Sequence, residues 1–139
     1  MDFIDTLNIA GSGLTGQRVR LQAVASNMAN ARTTRTPEGG PYQRQVPVFQ
    51  AAQVRDFGTD LDQQLRSLQV PTVQKLDGFK EEFDASHPDA DENGYVRYPD
   101  IDIMHEMVDM MTASRAYEAN AEVVDTTVKM AQRALEIGR

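Results

Sequence analysis

Apolar residues recur at both ends of the chain in alternating steps of four and three. Near the start, Phe3, Leu7, Ala10, Leu14, Gln17, Leu21, Val24, Met28 and Ala31 fall on one face of a helix. Near the end, Ile103, Met107, Met110, Ser114, Tyr117, Ala121, Val124, Val128, Ala131 and Leu135 do the same, over a run that a helix would stretch to roughly 50 Å. Only Gln17 and Ser114 interrupt these seams, which marks them as places where a helix meets water or a neighbour's polar group. A strict seven-residue period predicts winding against a partner helix, because a helix packed on a globule drifts toward 3.6 residues per turn. Two terminal helices with one stripe each are expected to pair as a coiled-coil-like hairpin, and the business of such a chain is association.

The stretch between the seams has a different pattern. The polar run from Asn30 to Thr36, followed by Pro37-Glu38-Gly39-Gly40-Pro41, ends the first helix. From Tyr42 to Gln50, Tyr42, Arg44, Val46 and Val48 share one face of a strand, and Pro47 confines it to an edge. Ala51 to Gln69 stays open between two readings: Leu61, Leu65 and Leu68 have helical spacing, whereas Gly58 and the nearby aspartates suit a loop. Val70 to Val73 reads as extended, Asp77 to Phe83 as a short element, Ser86 to Gly94 as an acidic turn-rich loop, and Tyr95 to Tyr98 as a strand. The expected fold is α+β. Residues 1–36 and 100–139 would form the terminal helical pair, and residues 37–99 a small outer segment rich in β-strands.

A length of 139 residues leaves room for one cooperative unit. The net charge of −7 is uneven. Residues 1–36 set Asp2 and Asp5 against Arg18, Arg20, Arg32 and Arg35, whereas residues 100–139 hold an excess of acids. A weakly basic first helix beside an acidic last one suits antiparallel pairing within a chain or alternation between chains, although each exposed pair is worth only tenths of a kcal/mol. The acidic balance argues against a nucleic-acid partner, which requires a basic face. Without cysteine there is no disulfide framework, thiolate nucleophile or thiolate metal site. The first thirty residues lack the basic start and continuous apolar core of a cleavable secretory signal, and direct membrane insertion is not expected.

Three motifs invite a chemical reading, and each has a plainer rival. Gly11-Ser12-Gly13-Leu14-Thr15-Gly16 fits a dinucleotide-binding loop, but that loop needs a strand before it and a second strand with an acid beyond. Within a heptad pattern, small residues instead let a neighbouring helix approach. Asp89 to Asp100 begins like a calcium loop, with oxygen ligands at its first, third and fifth positions and Gly94 at its sixth. Asp100 then stands where a longer glutamate is usual, Arg97 is at the ninth position, and Pro99 precedes the exit. An Asx-rich turn leading into a strand accounts for the same residues. His105 and Asp109 share a helical face like two zinc ligands, without a third. No catalytic, cofactor-binding or metal-binding residue is assigned.

Several segments, taken in order, carry a resemblance. They are Ser26-Asn27-Met28-Ala29-Asn30-Ala31 with Thr33-Thr34, Gly39-Gly40-Pro41-Tyr42, His87-Pro88-Asp89-Ala90-Asp91 with Gly94-Tyr95-Val96, Glu106 to Met111, and Ala113-Ser114-Arg115-Ala116-Tyr117-Glu118-Ala119-Asn120. Together they resemble the bacterial flagellar basal-body rod proteins, across nearly the whole chain. The resemblance implies a structural subunit of the proximal rod, polymerising through its terminal helices into the axial tube that transmits torque, with no cofactor. Its partners would be other rod proteins and copies of itself. It further implies synthesis in the cytoplasm, export unfolded by the flagellar type III apparatus, and residence in the periplasmic rod. Phe3 and Leu7 fit the short export element of such proteins. Asn27, Asn30, Arg115 and Asn120, which carry the motifs, would fix register by hydrogen bonds where apolar packing is permissive, and the seams would supply subunit contacts. The segment from Val54 to Gln69 is longer and richer in glutamine and aspartate than the family pattern. The competing readings are a coiled-coil adaptor or translocator of another type III secretion system, and a calcium-binding module built on the Asp89–Asp100 loop.

Overall fold

The computed structural model describes residues 3–53, 66–69 and 71–137. Helix α1 spans Phe3–Ala29. The strands that follow are β1 (Arg44–Val48), β2 (Ala51–Gln53), β3 (Arg66–Leu68), β4 (Thr72–Leu76), β5 (Phe79–Phe83) and β6 (Tyr95–Pro99), and helix α2 (Ile103–Ile137) closes the chain. Long helices at both ends of an antiparallel middle make the fold α+β, as the two periodicities predict. The leucine pattern that left Ala51–Gln69 open is only partly observed: Leu68 is extended in β3, and Leu61 and Leu65 lie outside the described residues.

Local chemistry sets the helix ends. Past α1, Asn30 Nδ2 donates to the Ser26 carbonyl at 2.9 Å, and the Thr33 hydroxyl donates to Asn30 Oδ1 at 3.1 Å, so the last carbonyls and the departing loop are tied together. Before α2, Asp102 is the N-cap: its Oδ1 accepts the Met104 N–H at 2.9 Å and its carbonyl accepts the Glu106 N–H at 3.0 Å. His105 reaches back to Asp102 Oδ2 at 2.7 Å. The contact with His105, then the Met104 N–H, holds the Asp102 carboxyl below the usual aspartate range.

The middle is a ribbon and a hairpin. Strand β1 pairs antiparallel with β4 from Arg44–Leu76 to Val48–Thr72, and β2 pairs with β3 from Ala51–Leu68 to Gln53–Arg66. At the join the Gln69 N–H donates to the Gln50 carbonyl at 2.8 Å. Pro47 is tolerated because, among the described residues, β1 pairs with β4 alone. Strands β5 and β6 pair from Phe79–Pro99 to Phe83–Tyr95. Their connecting loop closes on Gly94, whose φ of +82° and position over the Phe83 ring leave no room for a Cβ.

The helices lie antiparallel, with Asn27 against Glu106, Arg20 against Asp109 and Gly13 against Asn120. On α1 the apolar row lies toward the interior: Ala10 and Val24 are buried, and Leu7, Leu14, Leu21 and Met28 are half-buried. On α2 the apolar row lies mostly outside the contact between the helices. The most buried residues of α2 are Glu106, Ala113 and Thr127, whereas Ile103, Met107, Tyr117, Val128 and Leu135 are 39–75% exposed. Met110, Ser114, Val124 and Ala131 sit between these extremes. The contact row is rotated from the apolar seam by roughly 65°. The physical reason is on α1: Ala10, Gly13 and Ala23 are small and turned inward, with Gly13 against Asn120 of α2, and a small-residue surface draws in small residues, moving bulky side chains to the rim.

The glycines inside α1 fit this packing. A Cβ on Gly13 would come 2.9 Å from Asn120 Nδ2, and one on Gly16 would come 3.1 Å from both Leu68 Cδ1 and Phe49 Cε1. Nothing lies within 4 Å of a Cβ on Gly11. Gly16→Val is therefore expected to lose about 1–3 kcal/mol through overpacking. Gly11→Ala is expected to gain up to ~1 kcal/mol of helix propensity. Urea denaturation followed by circular dichroism reads both, and equal effects at the two sites would refute the packing account.

Candidate functional site

A buried polar cluster joins the helices to the strands. Asn27 of α1 is 1% exposed, and its amide makes four contacts. Nδ2 donates to the Gln45 carbonyl at 2.9 Å and to Glu106 Oε2 at 3.0 Å, while Oδ1 accepts the Gln45 N–H at 2.8 Å and the Tyr42 hydroxyl at 3.2 Å. That uses the hydrogen-bonding capacity of the group. By holding both the N–H and the carbonyl of one residue of β1, Asn27 acts as a one-residue strand neighbour. Glu106 of α2 is also 1% exposed. Its Oε1 accepts from Arg44 Nε at 2.8 Å and lies 2.7 Å from Arg44 Nη2. A charge-assisted contact of this kind compensates a carboxylate that would otherwise be very costly to bury. Two turns away in α1, Arg20 meets Asp109 at 2.8 Å in a half-exposed pair.

The loop after α1 delivers Tyr42 to this cluster. Gly39 and Gly40 adopt φ of +91° and +77°, a conformation that side chains rarely tolerate. The resulting turn is closed by Thr36 N–H to Gly40 O at 2.9 Å and Tyr42 N–H to Thr33 O at 3.1 Å. Burial, with the nearby Glu106 charge adding to it, raises the Tyr42 phenol above the usual tyrosine value.

Other residues singled out in the sequence are placed as follows. Asn30 ties down the end of α1 rather than bridging to α2, Arg115 is exposed, and Asn120 packs over Gly13. Gln17 carries a buried Oε1 that no donor reaches among the described residues. The Gly11–Gly16 motif is wholly helical, without the preceding strand that a pyrophosphate loop requires. In the acidic loop, Asp91 Oδ1 accepts the N–H groups of Asn93 and Tyr95 at 2.9 and 2.8 Å, an Asx turn. Asp89 instead turns to the loop after α1, accepting the Thr34 hydroxyl at 2.8 Å, with Arg35 at 3.8 Å. The carboxylates thus work separately, one inside the turn and one between loops. Among the described residues, no cluster of three or more His, Cys, Asp or Glu could hold a metal ion.

Sequence reasoning marked Asn27 but missed its partners Tyr42, Gln45 and Glu106, and missed Arg44 as the partner of Glu106. A glutamate flanked by Met104, Met107 and Val108 was the available signal, since an acid in an apolar run is often a paired buried charge.

The cluster's helical members lie in two segments that match known families. Residues 7–35 match the family described as flagella basal body rod protein, and residues 92–137 match the family described as flagellar basal body rod FlgEFG protein C-terminal. The chain belongs to the bacterial flagellar basal-body rod proteins. Full-length similarity is to relatives named flagellar basal-body rod protein FlgC. That of Borreliella burgdorferi is 39% identical over 99% of this chain and 98% of its own length. That of Aquifex aeolicus is 39% identical over 98% and 97% respectively, and that of Salmonella typhimurium 36% over the whole of both chains.

Two outcomes test the cluster. Arg44→Ala strands a buried carboxylate and is expected to cost about 3 kcal/mol in urea unfolding, whereas Arg44→Met with Glu106→Leu should cost far less. If the double variant is no more stable than the single, the buried charge is not what Arg44 serves. For Tyr42, the fold favours the protonated phenol. Its contribution to stability is full below the ordinary tyrosine range and falls as pH rises through the raised folded value. Spectrophotometric titration of the native protein should therefore lose its latest-ionising phenol in Tyr42→Phe.

Proposed function

We propose that this chain is a structural subunit of the flagellar basal-body rod whose paired terminal helices, residues 1–36 and 100–139, form the axial core, while residues 37–99 form an outer, strand-rich segment. The observation that carries this reading is the face of α2 left uncovered. Ile103, Met107, Tyr117, Val128 and Leu135 keep a seven-residue apolar rhythm yet remain exposed beside α1. An adaptor folded as a self-sufficient hairpin would bury its seam within the chain. An exposed seam is instead suited to neighbours in a polymer, where heterologous contacts leave each copy with a surface for the next. The seam residues of α1, among them Phe3, Leu7, Leu14, Leu21, Val24 and Met28, hold the intrachain pair, and the α2 residues make the subunit contacts.

The role is mechanical. In the proximal rod, packed helices pinned by Asn27, Glu106 and Arg44 would carry torque without slipping in register, because slippage would break a buried charged contact. Other rod proteins and further copies are the partners. The route is export in the unfolded state through the flagellar type III apparatus into the periplasmic rod, with Phe3 and Leu7 near the recognised end. Easy unfolding suits a core made largely of small residues (Ala10, Ala23 and Ala113 beside Val24, Val96 and Ile101).

The combination Met107→Asp with Leu135→Asp separates folding from assembly. Both positions are exposed, so the purified variant should unfold within about 1 kcal/mol of the parent. In cells it should be exported yet absent from isolated basal bodies, with motility lost. Normal incorporation would refute the seam as an assembly surface. Phe3→Ala should reduce the exported amount, and unimpaired export would remove that role.

A further inference from the structure

The outward faces of the two helices complement one another, and the complement lies between copies. On the side of α2 turned away from Ala113 and Thr127, the exposed row is apolar in its first half, with Met104, Met107 and Met111. It is acidic in its second half, with Glu118, Glu122 and Asp125. At 100° per residue these six fall within a sector of roughly 60°. The exposed row of α1 reads Arg18, Gln22, Ala25 and Ala29, one cation followed by progressively shorter side chains. Among the described residues no carboxylate forms an ion pair with Arg18 and no cation forms one with Glu118 or Glu122, although Lys129 pairs with Asp125 and feels the Glu122 charge.

The spacing agrees as well as the charge. Copies stacked in one direction meet α1 against α2 in the antiparallel sense found within the chain. Setting Arg18 opposite Glu118 then carries Ala25, seven residues on, to Met111, and Ala29, eleven residues on, to Met107. Flexible thioether side chains would fill the space left by the two alanines, with the arginine and acids fixing the register. Resting on the rod reading above, we infer that the outer face of α1 in one copy docks on the outer face of α2 in a second copy of this chain, in the register Arg18–Glu118, Ala25–Met111, Ala29–Met107. This contact is distinct from the exposed seam through Tyr117 and Leu135, apart from Met107 at their shared border.

The chain has no cysteine of its own, so engineered thiols report cleanly. Full-length Ala25→Cys and Met111→Cys variants are co-expressed in cells lacking the unsubstituted chain, and isolated basal bodies are oxidised. The expected result is a disulfide-linked dimer of this chain, about tenfold more abundant than with Ala25→Cys and Glu136→Cys, a pair whose sites this register keeps far apart. Arg18→Glu in the Ala25→Cys copy should lower the yield about threefold or more, and Glu118→Arg in the other copy should restore it. Ala29→Cys with Met107→Cys reads the same contact if the first pair is not incorporated. Basal bodies that contain both variants but give no dimer above the control overturn the docking while leaving the rod reading intact. So does a crosslink to a protein of different mass, which would assign the face to another rod component. Absence of the unmodified chain from basal bodies defeats both.

Discussion

Burying the Glu106 carboxylate is the constraint around which the fold is organised. A charge removed from water in a small protein is tolerated only with excellent partners, and here they come from α1 through Asn27 and from β1 through Arg44. Three segments distant in sequence must therefore be in place together. Apolar packing alone would not demand this, since the inward faces are small and permissive, and helices lined with alanine and glycine can slide. A charged, directional contact makes one register much better than its neighbours.

The same small-residue packing explains what is left outside. Close approach of α1 and α2 at Gly13 and Asn120, with small buried residues such as Ala23 and Ala113, leaves the larger residues of α2 outward, so the chain retains a long apolar surface after it has folded. In an isolated protein such a surface is a liability. In the rod subunit proposed above it is the surface left for neighbours.

The middle segment acts as a brace. Its ribbon lies along α1, held at one end by Asn27 on Gln45 and at the other by the Leu68 N–H donating to the Ser12 hydroxyl at 3.1 Å. The loop of the β5–β6 hairpin is tied to the turn after α1 by Asp89 on Thr34. Motif residues that look unrelated along the chain thus serve one end: Gly39 and Gly40 make the turn, Tyr42 and Asn27 meet inside it, and Asp89 fastens its outside.

Much of this was determined by sequence alone. The two helices, the edge strand at Pro47, the break after Asn30 and the turn around Asp91 follow from local rules that act over a few residues. The family could be read from motifs spread along the chain. Asn27 stood out only through the family motif it carries, and its partners were not legible, because Asn27 and Glu106 are 79 residues apart and no local pattern links them. Nor could the period show which face of α2 turns inward. Helical periodicity reports that a face is apolar, whereas burial is decided by how closely two backbones can approach, and that depended on the glycines and alanines of the opposing helix.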